Sequence, residues 1–189
     1  CDWGSGVLGL RSFKMMYEGL AELVIENLDF HRRVSVILEA GCGSGKLTLP
    51  LLQRIRKVKR NFRYIAFDVS SGPYLGSLQA LRRELRREGL DRFVGTVEGD
   101  VRDMQAIEDR SVDVVISNEL FCDLDRRGLE RALEEFYRIL EPNGQMAHGE
   151  LIPVPENEAQ RLLIDANAYS LETMHPKPEW FSPYSDEVA

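Results

Sequence analysis

Three glycines at alternate positions, Gly41, Gly43 and Gly45, close an apolar run that begins at Val36, with Glu39 just ahead of the first. Alternating glycines strip Cβ atoms from the backbone and permit positive φ in a sharp turn, so such a loop can lie flat against a cofactor. The same loop also fits a plain turn that packs a strand on a helix, and alone it decides little. About twenty residues on, the β-rich run 62–70 reaches Asp68, the distance at which a nucleotide-binding α/β chain places an acid for ribose hydroxyls. A carboxylate suits that work because it accepts two hydrogen bonds at once, although Asp68 would equally well cap the turn that follows it. Further along, the run 112–121 carries Asn118 and Glu119 at its exit. From there they would project where ligands of open α/β sheets sit, outside the carboxyl ends of the strands. Glu119 could take a proton from an acceptor or steady a cationic nitrogen, with Asn118 as a hydrogen-bonding orienter, or it could only cap the next helix.

Dinucleotide-binding loops require G-x-G-x-x-G/A, whose third small residue packs the helix on the strand, and here that position is Lys46. The spacing Glu39-x-Gly41-x-Gly43-x-Gly45 instead resembles motif I of the class I S-adenosylmethionine (SAM)-dependent methyltransferases. The resemblance implies a doubly wound, mainly parallel α/β sheet of the Rossmann-like type, with SAM as cofactor and S-adenosylhomocysteine as product. It implies that Glu39, Gly41, Cys42, Gly43 and Gly45 back the methionine portion of SAM. Asp68 with Val69 beside it would continue the cofactor site. In the stretch Gly99-Asp100-Val101-Arg102, it implies that Asp100 accepts from the exocyclic amine of adenine while the Val101 backbone donates to the ring. Asn118 belongs to the cofactor set as well as to the catalytic pair with Glu119. Dinucleotide dehydrogenases lack a second acid in the role of Asp100, so its presence favours SAM over NAD. The turn Leu140-Glu141-Pro142-Asn143-Gly144-Gln145 looks like the L-x-P-G-G turn of the family, with Asn143 at a glycine position that Asn tolerates through its access to positive φ.

Methyl transfer from a sulfonium is an in-line displacement whose leaving group is built into the cofactor. The protein mainly aligns two reactants, which alone can contribute about 7–11 kcal/mol. No metal and no nucleophilic triad is needed, so the legible signals are cofactor signals. Amino-group nucleic-acid methylases of the family carry an N-P-P-Y type motif after the fourth strand, and Ser117-Asn118-Glu119-Leu120 departs from it. Protein arginine methyltransferases place a Glu after a Ser here and a second Glu further on. Glu119 resembles the first, but Gly128 falls at the second. A small-molecule acceptor is expected first, a protein side chain second and RNA third. His148 and Glu150 on the fifth strand are weaker acid–base candidates. Two other readings stay open: a SAM-binding protein without catalysis that acts as an assembly partner, and an NAD-linked oxidoreductase, against which Lys46 speaks.

The elements that must position these residues follow from hydrophobic spacing. A chain of 189 residues suits one domain with a substantial core, so residues 1–189 are expected to form a single SAM-binding unit. Residues 12–28 repeat apolar side chains at helical spacing, and Phe13, Met16 or Tyr17 could reach over the cofactor from there. Strands are expected at 34–40, 62–70, 93–98, 112–121 and 145–151. Helices are expected at 44–57, 75–88 with Gly89 as C-cap, and 129–140. After residue 151, prolines break the pattern before a further helix at 157–174 and a proline- and aromatic-rich stretch at 175–184, which could form a substrate lid. The family sheet has seven strands and five are legible, so the last two strands are expected to be missing. Cys1 stands where an initiator methionine would, which suggests lost residues upstream.

The net charge of −7 argues against a general polyanion binder. Arg82, Arg83, Arg86 and Arg87 alternate with Glu84 and Glu88, as on a solvated helix face laced with ion pairs. The three cysteines, Cys1, Cys42 and Cys122, show neither metal-ligand nor disulfide spacing. That cysteine usage fits a reducing cytoplasm and no apolar run reaches membrane-spanning length, so a cytoplasmic protein that meets no membrane is expected, and a homodimer is left open.

Overall fold

The computed structural model describes residues 9–30, 36–150, 157–158 and 161–162. Helix α1 (Gly9–Asn27) leads into strand β1 (Val36–Ala40), the glycine loop and helix α2 (Thr48–Val58). Strand β2 (Arg63–Asp68), a 3-10 turn at Gly72–Tyr74, helix α3 (Ser77–Arg87) and strand β3 (Val94–Glu98) follow. Strand β4 (Val112–Asn118), a further 3-10 turn at Phe121–Asp123, helix α4 (Arg126–Ile139) and strand β5 (Leu140–Gly149) come next.

The five strands form one sheet in the order β3-β2-β1-β4-β5, and every pairing is parallel. The chain runs outward from β1 through β2 to β3, then returns to lay β4 on the other side of β1. This reversal opens a crevice at the carboxyl end of β1, the place where doubly wound sheets take their ligands. Registers keep the functional tips level: Ala40 pairs with Phe67 and Ser117, and Asp68 with Glu98.

β1 is buried on both faces, which is why Val36-Ile37-Leu38 reads as a continuous apolar run. Ile37 points into a layer with Leu51, Leu52 and Ile55 of α2 and Leu81 and Leu85 of α3. Leu38 and Ala40 point the other way, to Phe136 and Ile139 of α4. By the same two-residue alternation Glu39 shares the face of Ile37, so a carboxylate enters the α1–α2–α3 side of the sheet.

Helix α2 begins at Thr48, beyond the expected residue 44, because 41–47 are consumed by the glycine loop and its turn. Helix α4 begins before the expected residue 129, where Asp125 Oδ1 accepts from Gly128 N at 2.6 Å as a cap. Gly89 caps α3 as expected, at φ +65° with Gly89 N on Arg86 O and Leu90 N on Leu85 O. The Pro-Asn-Gly turn is a bulge inside β5 rather than a stop before it: Leu140 pairs with Val112, and Gln145 with Val114. Asn143 there takes φ +70°, the conformation expected of it.

Arg87 pairs with Glu84 and Glu88 on the exposed face of α3, in keeping with the ion-pair reading of that run. Among the described residues no helix is long and apolar enough to cross a membrane. The expected helix at 157–174 falls mostly outside the described residues, and the segments 175–184 and 185–189, with Cys1, fall entirely outside them.

Candidate active site

Each glycine of the loop has its own reason. A Cβ on Gly45 would sit 2.4 Å from Leu81 Cδ1, so this glycine lets α3 close on the loop. A Cβ on Gly41 would meet Leu120 Cδ1 at 3.0 Å, which brings the turn after β4 down over the loop. Gly43 is different. It has φ +51° and a Cβ there would meet nothing within 4 Å. Packing does not demand a bare Cα at Gly43, so the open backbone faces the crevice.

Asp68 secures this loop from the tip of β2. Its Oδ2 accepts from Gly43 N at 2.5 Å, while Gly41 N and Cys42 N both donate to Phe67 O. The Asp68 carbonyl accepts from Gly99 N at 2.9 Å. Gly99 is pressed on Phe67, whose Cζ would lie 2.6 Å from a Cβ at that position. Asp68 and Asp100 are thus held at neighbouring strand tips by backbone contact, and Val101 beside them is buried. Asp68 caps the loop and lies at the crevice together.

Glu39 is buried and accepts at Oε2 from Thr48 Oγ1 at 2.6 Å and from Tyr64 OH at 2.7 Å. Burial pushes its carboxyl up to about 7, against the pull of those two donors. Asp68 is also pushed up, by burial first and by Asp123 last, with the Gly43 and Val69 amides opposing. Asp123 accepts from Tyr74 OH, so the turn after β2 touches the turn after β4 across the crevice. Burial raises Asp123 as well. The rim is consequently rich in partly desolvated carboxylates, an environment that favours a cation.

Asn118 and Glu119 leave β4 as expected. Asn118 Oδ1 lies against Gly149, and Glu119 N donates to Gly149 O at 2.8 Å. Glu119 takes φ +49°, a strained conformation for a residue with a Cβ, and its side chain stands exposed to the crevice rather than capping a helix. The surrounding walls desolvate its carboxyl and raise it, while the Lys46 cation pulls it back. From α1, Tyr17 faces the same carboxylate: burial, then Glu119 and Glu39, push its phenol up to about 12. Met16 is half-buried, and the Phe13 side chain lies outside the described residues.

His148 and Glu150 both contact the exit of β4. Glu150 Oε1 accepts from Leu120 N and Phe121 N and so anchors the turn after β4. His148 Nδ1 meets Ser117 Oγ at 2.7 Å, and its ring packs between Phe121 and Phe136. Cys42 is buried, and Cys122 packs beside the acids of the rim. Sequence reasoning missed Thr48, Tyr64, Tyr74, Asp123 and Arg102. Strand alternation could have found Tyr64, which lies opposite Ile37 and therefore on the face of Glu39. The contacts of Tyr74 and Asp123 carry no local signal.

With this geometry in view, the family description "Methyltransferase domain" matches residues 37–144. An uncharacterized methyltransferase of Schizosaccharomyces pombe is 34% identical over 113 residues, or 60% of this chain. A protein of Methanococcus maripaludis assigned as an S-adenosyl-L-methionine-dependent methyltransferase superposes with a TM-score of 0.62 at 23% identity, covering 84% of this chain. Geranyl diphosphate methyltransferase in complex with SAM superposes with a TM-score of 0.56 at 21% identity, over 69% of this chain and 48% of that one. The chain spans 38% of the S. pombe relative and 64% of the M. maripaludis protein, less than two thirds of either. Identity at this level to the solved structures concerns the fold, and the match over 37–144 carries the family. The chain belongs to the methyltransferase domain family, on the class I, Rossmann-like fold of the SAM-dependent methyltransferases.

Proposed function

We propose that the chain binds SAM along the carboxyl edges of β3, β2 and β1 and transfers its methyl group to a small-molecule acceptor held beside Asn118 and Glu119. The observation that carries this reading is the junction of Asp68 Oδ2 with the bare backbone of Gly43. It joins a ribose-type acid to an open loop at the switch point of the sheet. SAM, when bound, supplies a methyl group already activated on a cationic sulfur. In this reading Asp68 and Asp100 hold the nucleoside end, and Gly41, Cys42, Gly43 and Gly45 with Glu39 back the methionine end. Val69, Val101 and Asn118 complete the seat.

The acids of the rim fit a cation. Carboxylates raised by burial and by one another are relieved when positive charge arrives. Glu119, raised by desolvation against the opposing pull of Lys46, is suited to accept a proton from a nucleophile as it is methylated. Asn118 orients the acceptor or the cofactor by hydrogen bonds. Tyr17 and Leu120 wall the crevice and limit water. Cys42 and Cys122 are free thiols, as a reducing cytoplasm would keep them.

Calorimetry with SAM, S-adenosylhomocysteine and NAD tests the cofactor, and NAD binding without SAM binding would remove the assignment. Labelled SAM incubated with cell extract, then fractionated into metabolites, protein and RNA, tests the acceptor. Label in the metabolite fraction above a Gly43→Asp control is expected. Label confined to protein or RNA would move the acceptor class, and no label in any fraction would favour a non-catalytic SAM binder.

A further inference from the structure

Beside the adenine-type acid stands a side chain that neither the family pattern nor spacing assigns. Arg102 N donates to Asp100 Oδ1 at 2.9 Å, and the same side chain returns with its fork. Arg102 Nε lies 2.8 Å from Oδ1 and 3.0 Å from Oδ2, and the terminal Nη2 lies 2.5 Å from Oδ2. The stem of Arg102 is seated too. A Cβ on Gly128 would come within 3.2 Å of Arg102 Cδ and 2.9 Å of Asp125 Oδ1. Gly128 is the seat that lets this arginine lie flat between Asp100 and α4. A groove of about 360 Å³ has Asp100, Arg102, Asp125 and Gly128 in its wall, so the pair borders solvent rather than core.

A carboxylate at an exposed strand tip rotates freely and is fully hydrated, which makes it a poor acceptor for a single amine. Bidentate contact with a guanidinium, together with a backbone N–H, fixes both the rotation and the charge. Three N–H groups of Arg102 meet the four lone pairs of the carboxylate: the backbone N–H and Nε–H fill Oδ1, Nη2–H takes one on Oδ2, and Oδ2 keeps the other. We infer that Arg102 is a positioning residue for nucleobase recognition: it locks the Asp100 carboxylate so that its remaining lone pair is presented to an exocyclic amine. The inference rests on the reading of Asp100 as the adenine contact. Arg102 holds Asp100 below the usual carboxylate range, so the acid stays an acceptor throughout the neutral pH range.

The probe is the ratio of affinities for S-adenosylhomocysteine and S-inosylhomocysteine, whose base carries a carbonyl in place of the amine. An affinity ratio is insensitive to the fraction of protein folded, because both ligands lose the same factor. The native chain should prefer the adenosyl ligand. Arg102→Gln removes the fork and should lower that preference about tenfold, mainly by weakening the adenosyl ligand. Arg102→Lys keeps the charge without the planar fork and should restore only part of it. Asp100→Asn is the control, since its amide can donate to the inosine carbonyl and should abolish or invert the preference. If Asp100→Asn abolishes the preference and Arg102→Gln leaves it intact, the positioning role is overturned while the adenine reading stands. If neither substitution moves the ratio, the Asp100 reading itself fails and the inference with it.

Discussion

Glu39 offers a direct measurement of what the site costs the fold. It is a carboxylate in the core, on the face of β1 that meets α2 and α3, and its pKa of about 7 lies well above the ordinary 4.5 of an unfolded chain. The folded state therefore binds its proton more tightly than the unfolded state does. Below 4.5 the group is protonated in both states and the favourable contribution is complete. As the pH rises through about 7 that contribution is lost, and above it the ionised carboxylate lowers stability by about 3 kcal/mol relative to low pH. Glu39→Gln removes the ionisation and keeps a carbonyl oxygen for Thr48 and Tyr64. After allowance for burying the amide NH2, the variant should be about 2 kcal/mol more stable than the native chain at pH 8 and equal or slightly less stable at pH 5. Urea unfolding followed by far-UV circular dichroism between pH 5 and 8.5 gives both curves. The difference between them isolates Glu39 from the remaining acids. Parallel curves, or a variant less stable than the native chain at pH 8, would refute the reasoning. If Glu39 is kept for the cofactor, the stabler variant should also bind SAM more weakly, a trade that active-site acids commonly show.

Gly45→Ala forces a Cβ to 2.4 Å from Leu81 Cδ1 at φ +91° and should cost about 2–3 kcal/mol of stability, whereas Gly43→Ala meets open space and should cost only about 1 kcal/mol. Calorimetry should show the reverse order for loss of SAM affinity per unit of stability lost, and equal destabilisation by the two would contradict the packing argument. Arg138 ties the loop between β3 and β4 through Met104 O at 2.9 Å, Ile107 O at 3.0 Å and the carboxylates of Glu135 and Asp109. Arg138→Ala should cost about 2–3 kcal/mol, with hydrogen exchange accelerated at residues 104–109, and unchanged exchange there would deny the clamp. Methyl transfer by the native chain should rise with pH as Glu119, raised by desolvation, loses its proton, and Glu119→Gln should flatten that limb and slow transfer about 100-fold. A pH–rate profile that keeps its limb in the variant would assign the base elsewhere.

Hydrophobic period and turn chemistry are local, and they made the order of elements readable. The apolar run at Val36–Ala40, the cap at Gly89 and the positive φ of Asn143 depend on a few neighbouring residues each, so spacing was enough to place them. The motif around Gly41, Gly43 and Gly45 and the acid at Asp68 were legible for the same reason. Boundaries failed where tertiary contact overrode local preference. The glycine loop extends to Leu47 because α3 closes on Gly45, and β5 runs through its own Pro-Asn-Gly turn because β4 offers a ladder on both sides of the bulge.

Spacing thus determined alternating strands and helices with a glycine loop and acids at successive strand ends, and the resemblance carried by those residues implied the parallel α/β sheet. Only the folded chain could decide what each of those acids does. Asp68 grips Gly43, Glu39 is satisfied by Thr48 and Tyr64, Glu119 is left strained and open to the crevice, and Asp100 is held by an arginine that rests on Gly128. These outcomes join residues from different strands and helices. A side chain's hydration, charge and freedom to rotate are set by neighbours that the chain brings to it only on folding.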